Sequence, residues 1–172
     1  MSEQHIFLVG PMGVGKTSVG RQLASLLHRP FVDVDAEIES RCGADIQWIF
    51  DMEGEAGFRK RETKVLSDIV TSSASSVIAT GGGVVMTKEN RKILQSSGQV
   101  IYLSVSKEQL YERMRRDKSR PLLQVENREQ VIDDLIELRD PLYREIADVV
   151  FAAEAGSAHR VAKVLLDELS KH

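Results

Sequence analysis

The residues that most clearly carry chemistry lie near the start of the chain, where residues 10–17 read GPMGVGKT. The glycines let the backbone curl so that several N–H groups face one centre, and a following helix adds partial positive charge there. Lys16 can reach the terminal phosphates of a nucleotide, and the Thr17 hydroxyl can bind magnesium. A short apolar segment precedes this pattern and an amphipathic one follows it, which is the context of a phosphate-binding P-loop. The alternative, a glycine-rich turn that only ends a strand, rarely matches all of these features by chance.

Two acidic residues, Asp33 and Asp35, follow the next apolar segment in the sequence FVDVD. On an extended chain this spacing puts both carboxylates on one side, at the carboxyl edge of a sheet, where ligands bind in open α/β folds. The acid that supports magnesium in many P-loop ATPases ends another strand, but the segment 77–80 carries no such acid. In a simpler interpretation, Asp35 only caps the next helix and Asp33 only adds solubility.

Three consecutive glycines, residues 81–83, end the segment 77–80 instead. Glycines at the carboxyl end of a strand allow backbone amides to approach a ligand closely. The same edge of the sheet would hold the P-loop, so we expect both segments to face one cleft. A flexible turn is the alternative.

Arginines supply candidate groups for anionic ligands. The segment 113–120 is strongly basic, and such a run is more often a solvated face, but beside a P-loop a lid arginine can neutralise developing charge. The segment contains no aromatic residue, which argues against binding of single-stranded nucleic acid. Arg59 and Arg139 could each form a surface salt bridge. Together they supply the planar, permanently charged forks that grip a carboxylate.

Short apolar segments alternate with amphipathic ones, which predicts a parallel sheet with helices on both faces. We expect five strands at residues 6–10, 31–34, 77–80, 100–103 and 148–151. Helical patterns cover residues 16–28, 55–70, 87–96, 107–116, 128–146 and 157–169. Expected caps are Thr87, Ser106 and Asn127, the last in a capping box with Gln130, and Pro141 is expected to disrupt its helix.

Composition narrows the class of protein. The 172 residues, 42% hydrophobic and 28% charged, fit one globular domain. A net charge of -3 argues against a dedicated nucleic-acid binder, and the single cysteine excludes an internal disulfide. No apolar run approaches the roughly 18 residues that span a bilayer, and the N-terminus does not read as a signal peptide. We therefore expect a cytoplasmic protein with no membrane or nucleic-acid partner.

Taken in order and spacing, these motifs resemble the shikimate kinase family over essentially the full chain. The matching segments are GPMGVGKT, FVDVD, FRKRE, ATGGGVV, RPLL and RDPLY. The resemblance implies transfer of the ATP γ-phosphate to the 3-hydroxyl of shikimate, in the pathway to aromatic amino acids. It also implies an α/β, three-layer P-loop fold with a five-stranded parallel sheet in the order 2-3-1-4-5. Within a single domain, 1–172, the substrate-binding segment would cover about residues 33–61 and a mobile lid about residues 113–125.

The resemblance also implies roles for individual residues on the nucleotide side. ATP would be bound by the P-loop residues Gly13, Val14, Gly15, Lys16, Thr17 and Ser18. Arg113 would pack on adenine, Gly156 would contact it through the backbone, and Arg120 would reach the phosphates from the lid. Magnesium would be bound by Thr17 and supported by Asp33, and the catalytic set would be Lys16, Asp33 and Arg120.

On the acceptor side, the resemblance implies that Asp35 binds the hydroxyls of the substrate and that Arg59 and Arg139 hold its carboxylate. Backbone contacts would come from Gly81, Gly82 and Gly83. The proton of the attacking hydroxyl would pass to Asp33, to Asp35 or to no base at all. A gluconate kinase of the same fold and a nucleotide-dependent switch without an acceptor are the alternatives, and we expect a monomer.

Overall fold

The computed structural model describes residues 4–72, 74–116, 127–153 and 156–171. Within them, the strands are β1 (His5–Val9), β2 (Phe31–Asp33), β3 (Val77–Ala79), β4 (Gly98–Ser104) and β5 (Val149–Ala152). They form one parallel sheet in the order β2-β3-β1-β4-β5. The predicted fold class and strand order are confirmed.

Helices cover both faces of this sheet. They are α1 (Lys16–Leu27), α2 (Val34–Cys42), α3 (Ile46–Ser72), α4 (Lys88–Ser97), α5 (Lys107–Arg116), α6 (Arg128–Ile146) and α7 (Ala158–Leu169). A 3₁₀ turn, Val84–Met86, links β3 to α4. None of the helices in the described ranges is long and apolar enough to cross a membrane.

The central strand β1 contributes to two cores, one on each face of the sheet. Phe7 and Val9 pack into a cluster with residues from α2, α3, α4 and α6. Ile6 and Leu8 pack into a second cluster with residues from α1 and α7. Because both faces are covered, all of β1 is buried and its sequence is apolar nearly throughout.

Parallel pairing sets the position of the site. Since β2, β3 and β1 run in one direction side by side, their carboxyl ends meet at one edge of the sheet. The chain leaves this edge at the P-loop after β1, at Asp33, the last residue of β2, and at the glycines 81–83 after β3. The fold therefore brings together three segments that are far apart in the sequence.

Two predicted boundaries are wrong, and both lie in the segment between β2 and β3. Helix α2 begins at Val34, so Asp35 lies in its first turn and not on an extended strand. Helix α3 begins at Ile46, nine residues before the predicted start, and is kinked at Gly54, where φ is 71° and ψ is 179°. Arg61 spans the kink with hydrogen bonds of 2.7 Å from Nε and Nη2 to the carboxylate of Glu53.

Only one of the three predicted helix caps makes the expected side-chain hydrogen bond. Ser106 is a cap, because the Gln109 backbone N–H donates to its Oγ at 3.2 Å. Thr87 and Asn127 stand at the predicted N-cap positions, but neither makes a side-chain cap hydrogen bond, so the predicted capping box is wrong.

The predicted disruption at Pro141 is also wrong, since α6 continues through it to Ile146. A proline inside a helix costs about 3 kcal/mol. Here the residues on both sides are held by burial, because Arg139, Tyr143 and Ile146 are all less than 5% exposed. Tertiary packing offsets the local preference.

Candidate active site

The P-loop connects β1 to α1 in a conformation that depends on glycine. Gly15 is the N-cap of α1 and has a φ of 96°, in the left-handed region. Gly10 has a φ of 148°, and a methyl group there would lie 2.5 Å from the Leu103 backbone oxygen. The loop can therefore present its amides to a phosphate only with glycine at these two positions.

Lys16 is held inside this loop. Its side chain is buried, and Nζ donates hydrogen bonds to the backbone oxygens of Gly10 at 2.7 Å and Pro11 at 2.8 Å. The ammonium group is thus fixed close to the amides that would surround a phosphate. The arrangement concentrates positive charge at the N-terminus of α1.

Arg113, on α5, also contacts the P-loop. Its Nη1 donates to the backbone oxygens of Gly13 at 3.0 Å and Val14 at 2.8 Å. The guanidinium therefore joins α5, whose last residues begin the predicted lid, to the P-loop. The predicted packing of Arg113 on adenine stays a prediction.

Thr17 and Asp33 form the candidate metal-binding pair. The Thr17 hydroxyl donates to Asp33 Oδ2 at 2.7 Å, and Asp33 Oδ1 accepts from the Ala36 backbone N–H at 3.1 Å. Asp33 thus caps α2 with one oxygen and faces the P-loop with the other, so the capping role that the simpler interpretation gave to Asp35 belongs to Asp33. Two hard oxygen ligands fit magnesium, which keeps several waters and binds substrate phosphates. No larger cluster of potential metal ligands occurs among the described residues.

A cavity of about 360 Å³ lies beside the P-loop, and the predicted acceptor-side residues line it. The charged residues in its wall include Asp35, Arg59 and Arg139, and the glycines 81–83 form another side. Its remaining lining includes Met12 of the P-loop and the apolar side chains Ile46, Phe50 and Phe58. The fold thus brings the acceptor candidates together next to the nucleotide loop.

The glycines 81–83 are needed there for space. A methyl group on Gly81 would lie 2.8 Å from Asp35 Oδ1, and one on Gly83 would overlap the Arg59 guanidinium. A methyl group on Gly82 would lie 3.2 Å from the Met12 backbone N and in ordinary contact, at 3.5 Å, with Arg139 Nη1. Gly81 and Gly83 therefore each leave room for one predicted acceptor-binding side chain, a steric role that the sequence interpretation did not include.

This packing gives a direct prediction for Gly83→Ala. Gly83 has a φ of -97°, which alanine adopts without strain, so the expected effect comes from the clash with Arg59. Because displacement of a single charged contact costs about 1–3 kcal/mol, we expect the KM for the acceptor to rise roughly tenfold, with the KM for ATP nearly unchanged. Steady-state kinetics check this. If Gly83→Ala raised the KM for the acceptor by the same factor in an Arg59→Ala background, the clash with Arg59 would not be the cause.

Arg139 is almost completely buried on α6, with 4% of its surface exposed. Burial lowers the pKa of its guanidinium. Its Nε is buried and has no hydrogen-bond partner among the residues that the structure describes. Tyr143, one turn further along α6, donates from its hydroxyl to the Gly82 backbone oxygen and so ties α6 to the glycine segment. A buried cation with an unsatisfied donor at a cavity wall is a strong candidate for binding an anion.

Glu62 lies in the cavity wall, and the sequence interpretation did not single it out as a site residue. It is completely buried in the cavity wall, and its Oε1 accepts from Arg59 Nη1 at 2.9 Å. The Asn90 side chain donates to the same oxygen at 3.4 Å. Burial raises the pKa of Glu62 to about 7, although the neighbouring Arg59 acts in the opposite direction. The available signal was its place three residues after Arg59 in the FRKRE motif, on one face of a helix.

The raised pKa of Glu62 predicts how stability depends on pH. The ordinary value is 4.5 and the folded value about 7, so between them the folded state binds more protons and wild-type stability falls as pH rises. Glu62→Gln lacks this ionisation. We expect the difference in unfolding free energy between Glu62→Gln and wild type to shift in favour of the variant by on the order of 3 kcal/mol between pH 4.5 and pH 8. Urea denaturation at several pH values measures it.

The control for this experiment is Glu55→Gln, since Glu55 also pairs with Arg59, at 3.4 Å, but is 61% exposed. A solvated carboxylate is expected to give a much smaller change. If the difference in unfolding free energy between wild type and Glu62→Gln did not change with pH, this would contradict the conclusion that ionisation of the buried Glu62 carboxyl group destabilises the fold.

Arg120 and Gly156 are the two remaining residues that are predicted to contact the nucleotide. Arg120 and the RPLL segment lie outside the described residues. Gly156, just before α7, has a φ of 154°, in a conformation that favours glycine. Its contact with adenine stays a prediction.

Comparisons with known proteins agree with this geometry. The family model for shikimate kinase matches residues 12–170. A shikimate kinase of Pseudomonas paraeruginosa is 53% identical over 167 residues, which are 97% of this chain and 96% of the relative. One of Pasteurella multocida is 52% identical over 166 residues, 96% of this chain and 94% of the relative.

Solved structures give the same result. Shikimate kinase from Acinetobacter baumannii in complex with shikimate matches with a TM-score of 0.94 and 50% identity, over 98% of this chain and 94% of that chain. The predicted family is confirmed, because both the family model and these relatives extend over nearly the whole sequence. The chain belongs to the shikimate kinases, enzymes that phosphorylate shikimate with ATP.

Proposed function

We propose that this chain transfers the γ-phosphate of ATP to the 3-hydroxyl of shikimate, giving shikimate 3-phosphate and ADP. The observation that carries the proposal is the cavity in which Asp35, Arg59 and Arg139 meet the glycines 81–83. Met12 belongs both to this cavity and to the P-loop, so an acceptor in the cavity would lie beside the phosphates.

The cavity suits a small cyclic acid that carries hydroxyl groups. Arg59 and Arg139 would hold the carboxylate, because guanidinium groups bind carboxylates with two parallel hydrogen bonds. The Asp35 carboxylate would accept hydrogen bonds from hydroxyls. Phe50 and Phe58 supply an apolar wall for the carbon ring, and their own rings are 4.8 Å apart. Carboxylate binding at one end fixes which hydroxyl reaches the P-loop.

Phosphoryl transfer requires charge neutralisation more than covalent chemistry. The P-loop amides and Lys16 would stabilise the charge that develops on the transferred group. Arg120 would add a further cation when the lid closes and excludes water. If the attacking hydroxyl gives its proton to a carboxylate, the candidates are Asp35 in the cavity wall and Asp33 beside Thr17.

Thr17 and Asp33 would hold magnesium, with Asp33 acting through water. When bound, magnesium neutralises negative charge on the nucleotide phosphates. We further propose that the enzyme works as a cytoplasmic monomer with shikimate and ATP as its partners, without contact to nucleic acid or membrane.

An ADP-release assay tests the proposal in three arms: with shikimate, with gluconate and with no acceptor. We expect shikimate to increase ADP release at least a hundredfold over the other two arms. Gluconate is an informative acceptor because it also carries a carboxylate and hydroxyls. Release at the full rate without an acceptor would overturn the kinase assignment, and a preference for gluconate would overturn the choice of acceptor.

A further inference from the structure

Asn90, on α4, is a fully buried polar residue outside the cavity wall. Its Nδ2 donates to the Val84 backbone oxygen at 3.1 Å and to Glu62 Oε1 at 3.4 Å. Val84 directly follows the glycines 81–83, whereas Glu62 belongs to α3. One side-chain amide therefore bridges two segments whose residues Glu62 and Gly83 both line the cavity.

The separation of these two segments decides where Arg59 lies. Arg59 Nη1 donates to Glu62 Oε1, the oxygen that Asn90 also contacts. On the other side, the Arg59 guanidinium lies so close to Gly83 that a methyl group would overlap it. The guanidinium thus lies between Glu62 and the glycine segment, and Asn90 contacts both Glu62 and Val84, the residue that follows the glycines.

Stability alone does not account for an asparagine at this position. Its Oδ1 is buried and has no hydrogen-bond partner in the described part of the chain. A buried polar atom without a partner is destabilising, and this largely offsets what the two Nδ2 contacts contribute. Its two hydrogen bonds instead go to Glu62, which contacts Arg59, and to Val84, which follows the glycine segment beside Arg59.

We propose that Asn90 is a positioning residue for the acceptor carboxylate, acting through Glu62 and Val84 to hold the Arg59 fork in its binding geometry. This inference rests on the proposed function, in which Arg59 grips the carboxylate of shikimate. Asn90 itself touches no substrate. Its effect is therefore confined to acceptor binding, and the nucleotide side of the site is unaffected.

Steady-state kinetics of Asn90→Ala test the inference. Since a hydrogen bond of this kind contributes about 0.5–1.5 kcal/mol, we expect the KM for shikimate to rise about three- to tenfold. The kcat and the KM for ATP should change by less than about twofold. Asn90→Leu keeps the number and branching of the side-chain heavy atoms, and should give the same result where the cavity left by alanine weakens the fold.

The matched control is Leu94→Ala, because Leu94 lies one turn further along α4 and is equally buried but makes no polar contact with Glu62. Its truncation is expected to weaken the fold by leaving a cavity while leaving the KM for shikimate unchanged. An equal rise in that KM for Leu94→Ala would show that loosening of α4 is the cause and would overturn the inference. So would an unchanged KM in both Asn90 variants.

A double-mutant cycle tests the proposed route through Glu62. We expect Asn90→Ala to have little further effect on the KM for shikimate in a Glu62→Ala background, because this change removes the oxygen that both Asn90 and Arg59 contact. Fully additive effects would contradict the route. If wild type fails to phosphorylate shikimate, the proposed function fails first, which separates that result from a failure of the Asn90 inference.

Discussion

Lys16→Met is expected to lower kcat by about 10²- to 10³-fold while leaving the fold and shikimate binding intact. Methionine approximates the length of the lysine stem but supplies no charge, and removal of one preorganised donor at a developing charge typically costs this much. The ammonium group is fixed in the P-loop by the backbone oxygens of Gly10 and Pro11. ADP-release kinetics measure kcat, and calorimetric titration with shikimate measures acceptor binding.

Lys163→Met is the control for this variant, because Lys163 is an exposed lysine on α7. We expect it to behave as wild type. A kcat for Lys16→Met within threefold of wild type would contradict the role of the P-loop lysine in stabilising the transferred phosphoryl group. Lost shikimate binding would indicate instead that the P-loop had collapsed into the acceptor cavity.

Arg139→Ala is expected to raise the KM for shikimate about 10²-fold, with the KM for ATP nearly unchanged. Removal of one partner from a buried, hydrogen-bonded charge pair costs about 2–5 kcal/mol, much of it from the charge left unpaired. Arg139 is 4% exposed, so little water can replace it around a bound carboxylate. Arg139→Lys should recover only part of the loss, since an ammonium group cannot form two parallel hydrogen bonds.

Arg144→Ala provides the matched control on the same helix. Arg144 is 56% exposed and pairs with Asp140 at 3.0 Å on the outside of α6. Exposed pairs contribute about 0–1 kcal/mol, so we expect wild-type kinetics. Unchanged shikimate kinetics in Arg139→Ala would remove its proposed role, and an equal loss of affinity for ATP would show that the effect is general.

Much of the fold followed from local pattern. The strand before the P-loop and the helix after it are encoded in neighbouring residues, and the apolar segments that alternate with helical patterns indicated the covered parallel sheet. The strand order came from the family resemblance and not from spacing. Where packing acts against local preference, sequence interpretation failed, as in α6, which continues through Pro141 because buried residues hold it on both sides.

The site was predictable to the extent that its residues lie in motifs. Asp35 lies in the cavity wall with the other acceptor candidates, but the spacing argument that singled it out does not hold, since it lies on the first turn of α2 and not on a strand. The contact between Glu62 and Asn90 could not be predicted, because 28 residues separate them and neither stands out by type or spacing. Such contacts depend on how α3 and α4 pack, which no local pattern specifies.

The most direct test of the central claim is the position of phosphate on the product. In the proposed function, Arg59 and Arg139 hold the carboxylate of shikimate in the cavity that they line, so that one hydroxyl faces the P-loop. We expect phosphorus and proton nuclear magnetic resonance of the reaction mixture to show a single phosphate ester, with phosphorus coupled to the proton on carbon 3 of shikimate and one ADP formed per ester. Phosphate on another hydroxyl, or ADP formed with inorganic phosphate alone, would contradict the account.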